Sequence, residues 1–129
     1  MTASFLEHVN ITVADPEAIS KTLCRLFDWH IRWRGDAKAG GHTVHVGTDS
    51  SYLALYSAGE PQKRESSTYE TQGGLNHVGI VVDDLDAAEA RIRKAGFDTH
   101  SHADYEPGKR FYFDDSNGIE FEVVSYQKH

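Results

Sequence analysis

A repeat inside the chain constrains its fold more than any other feature of the sequence. Residues 6–13 (LEHVNITV) and residues 75–82 (LNHVGIVV) are identical at five of eight positions, at a constant offset of 69 residues (77 − 8 = 69). The match continues further along the chain, where Asp15 corresponds to Asp84. A repeat of this length corresponds to a supersecondary unit. The sequence therefore predicts two related units, each with one histidine at the same position.

Each unit is predicted to have the order β-α-β-β-β. Along residues 5–13, polar side chains such as His8 and Asn10 alternate with β-branched apolar ones, which is typical of a half-buried strand. Asp15 then serves as an N-cap and Pro16 as the first residue of an amphipathic helix. The apolar face of the strand is expected to meet helices, and its polar face is expected to line the functional site.

The same patterns predict the remaining elements. The predicted strands cover residues 29–34, 42–46, 51–56, 75–82, 97–100, 110–114 and 119–125, and a second helix covers 85–95 and ends at Gly96. Residues 102–109, which contain Pro107-Gly108, are predicted to form a loop. We assign residues 1–129 to one domain, with repeat one at about 4–57, a polar linker at about 58–74 and repeat two at about 75–126.

Length and charge exclude several classes of protein. A chain of 129 residues has the length of a single domain and can bury a core without disulfides. Its formal charge of −7 argues against a nucleic-acid surface, which requires clustered Lys and Arg. No apolar run reaches the roughly 18 residues of a membrane helix, and the first residues lack the pattern of a signal peptide. These features predict a cytoplasmic protein.

Strand parity brings a carboxylate to the side of the two histidines. In the last predicted strand, Glu120 and Glu122 lie opposite the apolar face, as His8 and His77 do in theirs. Two histidines and one carboxylate on three strands make a facial set of ligands with open coordination positions. Such a site could hold Fe, Mn, Ni, Co or Zn and act as a Lewis acid on a substrate oxygen.

The chain resembles the vicinal oxygen chelate superfamily, which includes glyoxalase I, extradiol dioxygenases, fosfomycin-resistance thiol transferases and bleomycin-binding proteins. The first motif, Leu-x-His-Val-x-Ile-x-Val, opens each half. The second, Asp-x-x-Gly-x-x-x-Glu, covers residues 115–122. The third is the helix end at residues 23–29, where Asp28 replaces the family's glycine. The resemblance implies an α+β fold in which two tandem βαβββ repeats form a curved mixed sheet around a metal cavity, with helices on the outer face.

The resemblance also implies a ligand set and an assembly. The family's metal ligands correspond to His8, His77 and Glu122, and small relatives imply a homodimer. A tyrosine that points at the substrate corresponds to Tyr112. Aligning Asp49 with Asp115 places Tyr56 at the fourth ligand position of glyoxalase I, and tyrosine is a poor ligand at neutral pH because its pKa is about 10.

The predicted function is that of a divalent-metal-dependent enzyme of glyoxalase or dioxygenase type, acting on a small oxygen-chelating substrate. Tyr112 and Glu122 are the predicted catalytic residues, and the predicted substrate-binding residues are Asn10, Tyr56, Arg110 and Trp33. Thiol transfer is less favoured, because Asn10 stands where fosfomycin-type members have threonine. The alternative is a metal-free sequestration protein like those that bind bleomycin. Trp33 shares strand parity with Ile31, so packing in the core is its default expectation and stacking on a substrate is the alternative.

Overall fold

The chain has the predicted β-α-β-β-β order twice. The structure is a computed structural model, and it describes residues 2–37 and 40–126. The chain consists of two compact units, residues 1–62 and residues 63–129. The first unit contains β1 (His8–Thr12), α1 (Pro16–Phe27), β2 (His30–Asp36), β3 (His42–Gly47) and β4 (Tyr52–Ser57). The second contains a short 3-10 helix (Thr68–Glu70), β5 (Val78–Val81), α2 (Leu85–Lys94), β6 (Thr99–Tyr105), β7 (Gly108–Asp114) and β8 (Glu120–Ser125).

The two units have the same sheet topology. The strand order is β1-β4-β3-β2 in the first sheet and β5-β8-β7-β6 in the second. In each sheet the first strand is parallel to the last, and the other neighbours are antiparallel. This confirms the predicted mixed sheets. Strands β1 and β5 are shorter than the predicted 5–13 and 75–82, so that His77 lies immediately before β5.

Helix α1 begins and ends where the sequence predicts. The Asp15 side chain accepts a hydrogen bond from the Ala18 amide at 3.2 Å, and Pro16 occupies the first turn. The residue after the helix, Asp28, has a φ of 57°, in the left-handed region. Glycine is the usual residue at such a position, and aspartate is among the few others that tolerate it. The substitution of Asp28 for the family's glycine is therefore compatible with the same helix end.

Helix α2 repeats this design with a different end. The Asp84 side chain accepts a hydrogen bond from the Ala87 amide at 3.0 Å. Gly96 has a φ of 101°, which supports its predicted role beyond the last helical turn. Neither α1 nor α2, the α-helices of the part of the chain that the structure describes, is long and apolar enough to cross a membrane.

Each unit has its own apolar core between its helix and one face of its sheet. Helix α1 packs against β2, β3 and β4, and α2 packs against β6 and β8. The fully buried side chains include Leu23, Val44, Val46 and Leu55 in the first unit and Ile92, Phe111, Phe113, Phe121 and Val123 in the second. The opposite face of each sheet therefore remains available for polar side chains.

A β-bulge in β2 overturns the expectation that Trp33 packs in the core. The register shifts between Ile31 and Trp33, so that Ile31 pairs with Val46 but Trp33 pairs with the next residue of β3, His45. Because neighbouring residues of a strand point to opposite faces, the bulge moves Trp33 to the polar face. Its side chain is 50% exposed.

The prediction that residues 102–109 form a loop is wrong. Most of this segment belongs to strands β6 and β7, which are joined by a tight turn at Glu106 and Pro107. The register shifts again between His100 and Ala103, where Ser101 has a φ of 56°. This irregularity breaks the period-two pattern in an exposed edge strand, so the alternation that identifies strands is lost.

Candidate metal and substrate site

The second unit gathers its polar side chains at one place on the sheet. Glu122 on β8 pairs with Tyr112 on β7 and with Gly79 on β5. The neighbours of Tyr112 along β7, Phe111 and Phe113, are buried in the core. Tyr112 therefore points to the opposite face, as the sequence predicts.

The carboxylate of Glu122 is held by two donors. The Tyr112 hydroxyl donates a hydrogen bond to Glu122 Oε2 at 2.5 Å, and Arg110 Nη1 lies 3.4 Å from the same oxygen. The hydrogen bond to the carboxylate, together with burial, raises the pKa of Tyr112 to about 12. Tyr112 is therefore a neutral donor at physiological pH. The second oxygen, Oε1, faces Gly79, where a Cβ would lie 3.9 Å away.

Arg110 lies inside this cluster and is largely buried. Its side chain is 11% exposed, and its guanidinium also donates to the Gly108 carbonyl at 2.9 Å. The ring of Tyr105 lies 5.3 Å from the guanidinium carbon. This arrangement places a fixed positive charge beside Glu122, where it can attract an anionic group of a substrate.

His77 presents one ring nitrogen to Glu122 and the other to a separate pair of groups. Its Nε2 lies 3.9 Å from Glu122 Oε2. Its Nδ1 lies 3.3 Å from the hydroxyl of Tyr69 and 3.6 Å from Glu120 Oε2. Glu122 therefore faces Nε2, and Glu120 faces Nδ1.

The residues of the second unit fit a divalent metal. Two atoms coordinated to one ion at about 2.1 Å are about 3.0–3.5 Å apart, so His77 Nε2 and Glu122 Oε2, which are 3.9 Å apart, need to approach by about 0.4–0.9 Å. A carboxylate behind the other ring nitrogen is the usual support of a metal-ligating histidine. No set of three His, Cys, Asp or Glu side chains in residues 2–37 and 40–126 is arranged to hold an ion. The second unit by itself supplies two of the three predicted ligands.

The first unit carries the third predicted ligand in an aromatic row. The ring of His8 stacks on Tyr52 at 4.8 Å, Tyr52 stacks on His45 at 4.6 Å, and His45 contacts Trp33 at 5.0 Å. These four residues come from β1, β4, β3 and β2, which is the order of the strands in the sheet. The row therefore crosses the whole polar face of the first sheet.

Charged groups surround this row. The His8 Nδ1 atom lies 2.9 Å from Glu7 Oε1, and this hydrogen bond lowers the pKa of Glu7. The Arg32 guanidinium lies over the Tyr52 ring, 4.4 Å from its centre. Burial lowers the pKa of His45, and the nearby positive groups lower it further, so His45 is neutral at physiological pH.

The structure corrects the residue that corresponds to Glu122 in the first repeat. In the second unit Glu122 pairs with Tyr112 and Gly79; the same ladder positions in the first unit are occupied by Ala54. The prediction that Tyr56 takes this place is wrong. Asp49 is the second residue of the connection between β3 and β4 (48–51), whereas Asp115 is the first residue of the connection between β7 and β8 (115–119), which is also one residue longer. Aligning the two aspartates therefore misaligns the strands by two residues. Alanine has no ligating atom.

The remaining predicted substrate-binding residues lie on β1 and β4. Asn10 is exposed and pairs with Ala54, next to the aromatic row. Tyr56 pairs with Thr12, about 13 Å along the strand from Tyr52, and its ring packs over Gly41. The structure therefore brings Asn10 close to the row and places Tyr56 away from it.

Three residues of these clusters were missed or undervalued by sequence reasoning. Tyr69 lies in the segment predicted as a linker, where no periodicity identifies a contact. Tyr52 and His45 do have a signal in the sequence. Tyr52 shares strand parity with Ala54, and His45 lies between the buried Val44 and Val46. Their value becomes visible only when the pairing of the four strands is known.

The comparison with protein families gives the class of this protein. The model described as the Glyoxalase/Bleomycin resistance protein/Dioxygenase superfamily matches residues 5–123. The chain belongs to this superfamily, and the resemblance seen in its motifs is confirmed. No curated protein matches the chain in sequence.

Solved structures from several organisms share the fold. The glyoxylase/bleomycin resistance protein/dioxygenase domain from Frankia sp. EAN1pec is 23% identical, with 98% of this chain and 100% of that chain covered and a TM-score of 0.79. TnmS3, an antibiotic binding protein from Streptomyces sp. CB03234, is 17% identical, with 97% and 98% covered and a TM-score of 0.71. A mutant of the fosfomycin resistance protein FosX from Listeria monocytogenes, complexed with Mn(II) and a dihydroxypropylphosphonic acid, is 17% identical, with 98% and 95% covered and a TM-score of 0.72.

Proposed function

We propose that the protein is a divalent-metal-dependent enzyme that acts on a small substrate with vicinal oxygens. The observation that carries the proposal is the cluster in which His77 Nε2 faces a carboxylate, Glu122, that is already held by a tyrosine and an arginine. His8 of the first unit is the proposed third ligand. The metal is one of Fe, Mn, Ni, Co or Zn, and a structural neighbour with the same fold holds Mn(II).

The residues around the cluster have distinct roles in this proposal. A bound divalent ion would supply Lewis acidity toward the oxygens of the substrate. Tyr112 gives its single O–H to Glu122 in the metal-free protein; once the carboxylate binds the metal, that O–H would turn to a substrate oxygen that gains negative charge. Arg110 binds an anionic group of the substrate, and its contact with Glu122 keeps the carboxylate oriented.

Catechol, which carries two vicinal oxygens, is a direct probe of this proposal. We expect protein loaded with Mn(II) to bind catechol in isothermal titration calorimetry and metal-free protein to bind it at least tenfold more weakly. Glu122→Gln should remove the difference between the two states. Equal binding with and without Mn(II) would contradict the proposal. The metal retained in purification then indicates the reaction, since iron favours oxygenase chemistry and nickel or zinc favours a glyoxalase-like reaction.

The second candidate function is metal-free sequestration of a small molecule. The aromatic row of the first unit favours it, because the exposed indole of Trp33 provides a flat apolar surface beside Tyr52 and His45. An antibiotic binding protein is among the structures with the same fold. Trp33→Phe should then weaken ligand binding in metal-free protein, whereas Trp29→Phe, which changes the other tryptophan, should not.

We also propose that the protein forms a homodimer in the cytoplasm. Leu6 and Leu75, which occupy equivalent positions of the repeats, are 81% and 70% exposed. An interface with a second copy of the chain would cover such apolar side chains. Sedimentation should give about 29 kDa, twice the 14.4 kDa of one chain, and Leu75→Asp should shift the mass toward that of the monomer.

A further inference from the structure

The segment before β5 is built onto the second unit. Residues 63–74, here called the connecting segment, belong to the second compact unit. Arg64 Nη2 donates a hydrogen bond to the Gly118 carbonyl at 2.7 Å. Ser67 caps the 3-10 helix by accepting from the Tyr69 amide at 3.1 Å, and Thr71 Oγ1 donates to the Ser67 carbonyl at 3.0 Å. The segment that the sequence predicts to be a linker therefore has its own internal bonds and an anchor on the turn before β8.

The connecting segment carries one side chain to the candidate metal site. The Tyr69 hydroxyl donates a hydrogen bond to Glu120 Oε2 and lies 3.3 Å from His77 Nδ1. The direct separation of His77 Nδ1 and Glu120 Oε2 is 3.6 Å, which is too long for a hydrogen bond. The hydroxyl thus stands between the imidazole and the carboxylate. Because a carboxylate oxygen can only accept, the hydrogen of this bond belongs to the Tyr69 hydroxyl.

These contacts fix the direction of the hydrogen bonds. Since the hydroxyl hydrogen of Tyr69 is used on Glu120, only an oxygen lone pair remains to face His77 Nδ1. That nitrogen must then carry the hydrogen and donate it. A neutral imidazole has one N–H, so the lone pair of His77 is placed on Nε2, the nitrogen that faces Glu122.

We propose that Tyr69 is a positioning residue that holds His77 in the tautomer protonated on Nδ1. The role of Nε2 as a metal ligand rests on the proposed function, whereas the tautomer is a property of the metal-free protein. A segment outside both sheets thereby leaves the lone pair of His77 Nε2 available to a metal ion.

The tautomer can be measured directly in metal-free, nitrogen-15-labelled protein. Long-range proton–nitrogen spectra should be recorded at about pH 8.5, well above the ordinary histidine pKa of about 6.5, with His77 assigned by its absence in His77→Ala. We expect wild type and the exposed control Tyr126→Phe to show the hydrogen on Nδ1. Tyr69→Phe keeps the ring, which is 60% exposed, but loses the hydroxyl, and it should show a mixture with Nε2–H. A wild-type Nε2–H tautomer, or an unchanged tautomer in Tyr69→Phe, would overturn the inference.

A second measurement separates this inference from the proposed function. Mn(II) titrated into the three proteins should bind roughly 10–100-fold more weakly to Tyr69→Phe than to wild type and Tyr126→Phe, the usual effect of removing a partner of a ligating histidine. If wild type binds no Mn(II), the proposed function fails, while the tautomer result still decides the role of Tyr69. If all three bind Mn(II) equally, the proposed function stands and the positioning role is wrong.

Discussion

At the scale of single residues, the two repeats differ most at Glu122 and its counterpart. Glu122 accepts a hydrogen bond from Tyr112 and lies beside Arg110, whereas the equivalent Ala54 has no side-chain atom that could bind a metal or accept a hydrogen bond. A fourth ligand at this position, as in glyoxalase I, is therefore impossible in the first repeat. The proposed ligand set therefore stays at His8, His77 and Glu122.

Removal of the Tyr112 hydroxyl tests how far Glu122 depends on it. We expect Tyr112→Phe to lower the free energy of unfolding by about 1–2 kcal/mol, because a largely buried carboxylate loses its shortest hydrogen bond. The folded pKa of Tyr112 is raised above that of the unfolded chain, so this contribution is complete below pH 10 and is lost as the pH rises toward 12. Urea denaturation from about pH 6 to 9 should therefore show a constant difference. A difference absent throughout this range, or one equal to that of Tyr126→Phe, would contradict the assignment.

At the scale of secondary-structure elements, Glu89 connects α2 to the irregular strand β6. Its carboxylate accepts from Thr99 at 2.5 Å and lies 2.6 Å from His102 Nε2 and 2.9 Å from Arg93 Nη2. Burial raises the pKa of Glu89, but the hydrogen bonds and positive charges outweigh burial and lower it below its usual value. The folded state therefore favours the ionised form.

Glu89→Gln should destabilise the protein in a way that depends on pH. Because the folded pKa is depressed, the carboxylate stabilises the fold above the usual pKa of about 4.5 and loses that contribution as the pH falls through its lower folded value. We expect a loss of about 1–2 kcal/mol at pH 7 and a smaller loss at pH 3. Chemical denaturation at both values, with exposed Glu60→Gln as the control, measures it. An equal loss at the two pH values would contradict this account.

Gly35 determines the position of the exposed indole on β2. A Cβ at Gly35 would lie 2.7 Å from Cζ2 of Trp33, so the ring rests on the strand where glycine has no side chain. In a Trp29→Phe background, where only Trp33 emits, Gly35→Ala should displace the indole and shift its fluorescence to longer wavelength. The expected stability cost is about 0.5–1.5 kcal/mol, as for a side chain forced off its rotamer. Unchanged emission would mean that Gly35 does not support the ring.

The sequence predicts the regular parts of these elements and fails where regularity is broken. The repeat and the polar face of Tyr112 follow from periodicity, and the cap at Asp15, which the repeat extends to Asp84, follows from residue type; all appear in the structure. The bulge before Trp33 reverses its face, and a second irregularity hides the strand around Ser101. Tyr69 could not be found because its contacts depend on how a non-periodic segment folds back.

At the scale of the whole molecule, the two units have the same topology, but their polar faces carry different kinds of side chain. Strand pairing makes the aromatic row of the first unit equivalent to a mainly polar set in the second. The equivalent pairs are His8 with His77, Tyr52 with Glu120, His45 with Tyr112 and Trp33 with His100. The polar face of the first repeat therefore carries flat aromatic rings, and that of the second carries the carboxylates.

The metal content of untagged protein tests the central claim most directly. Elemental analysis after loading with Mn(II) and gel filtration should give about one ion per chain for wild type. His77→Ala and Glu122→Gln should lose the ion, whereas His102→Ala, which removes a histidine paired with Glu89 on α2, should retain it. Wild-type protein without metal, or an ion that remains in His77→Ala, would contradict the proposed metal site.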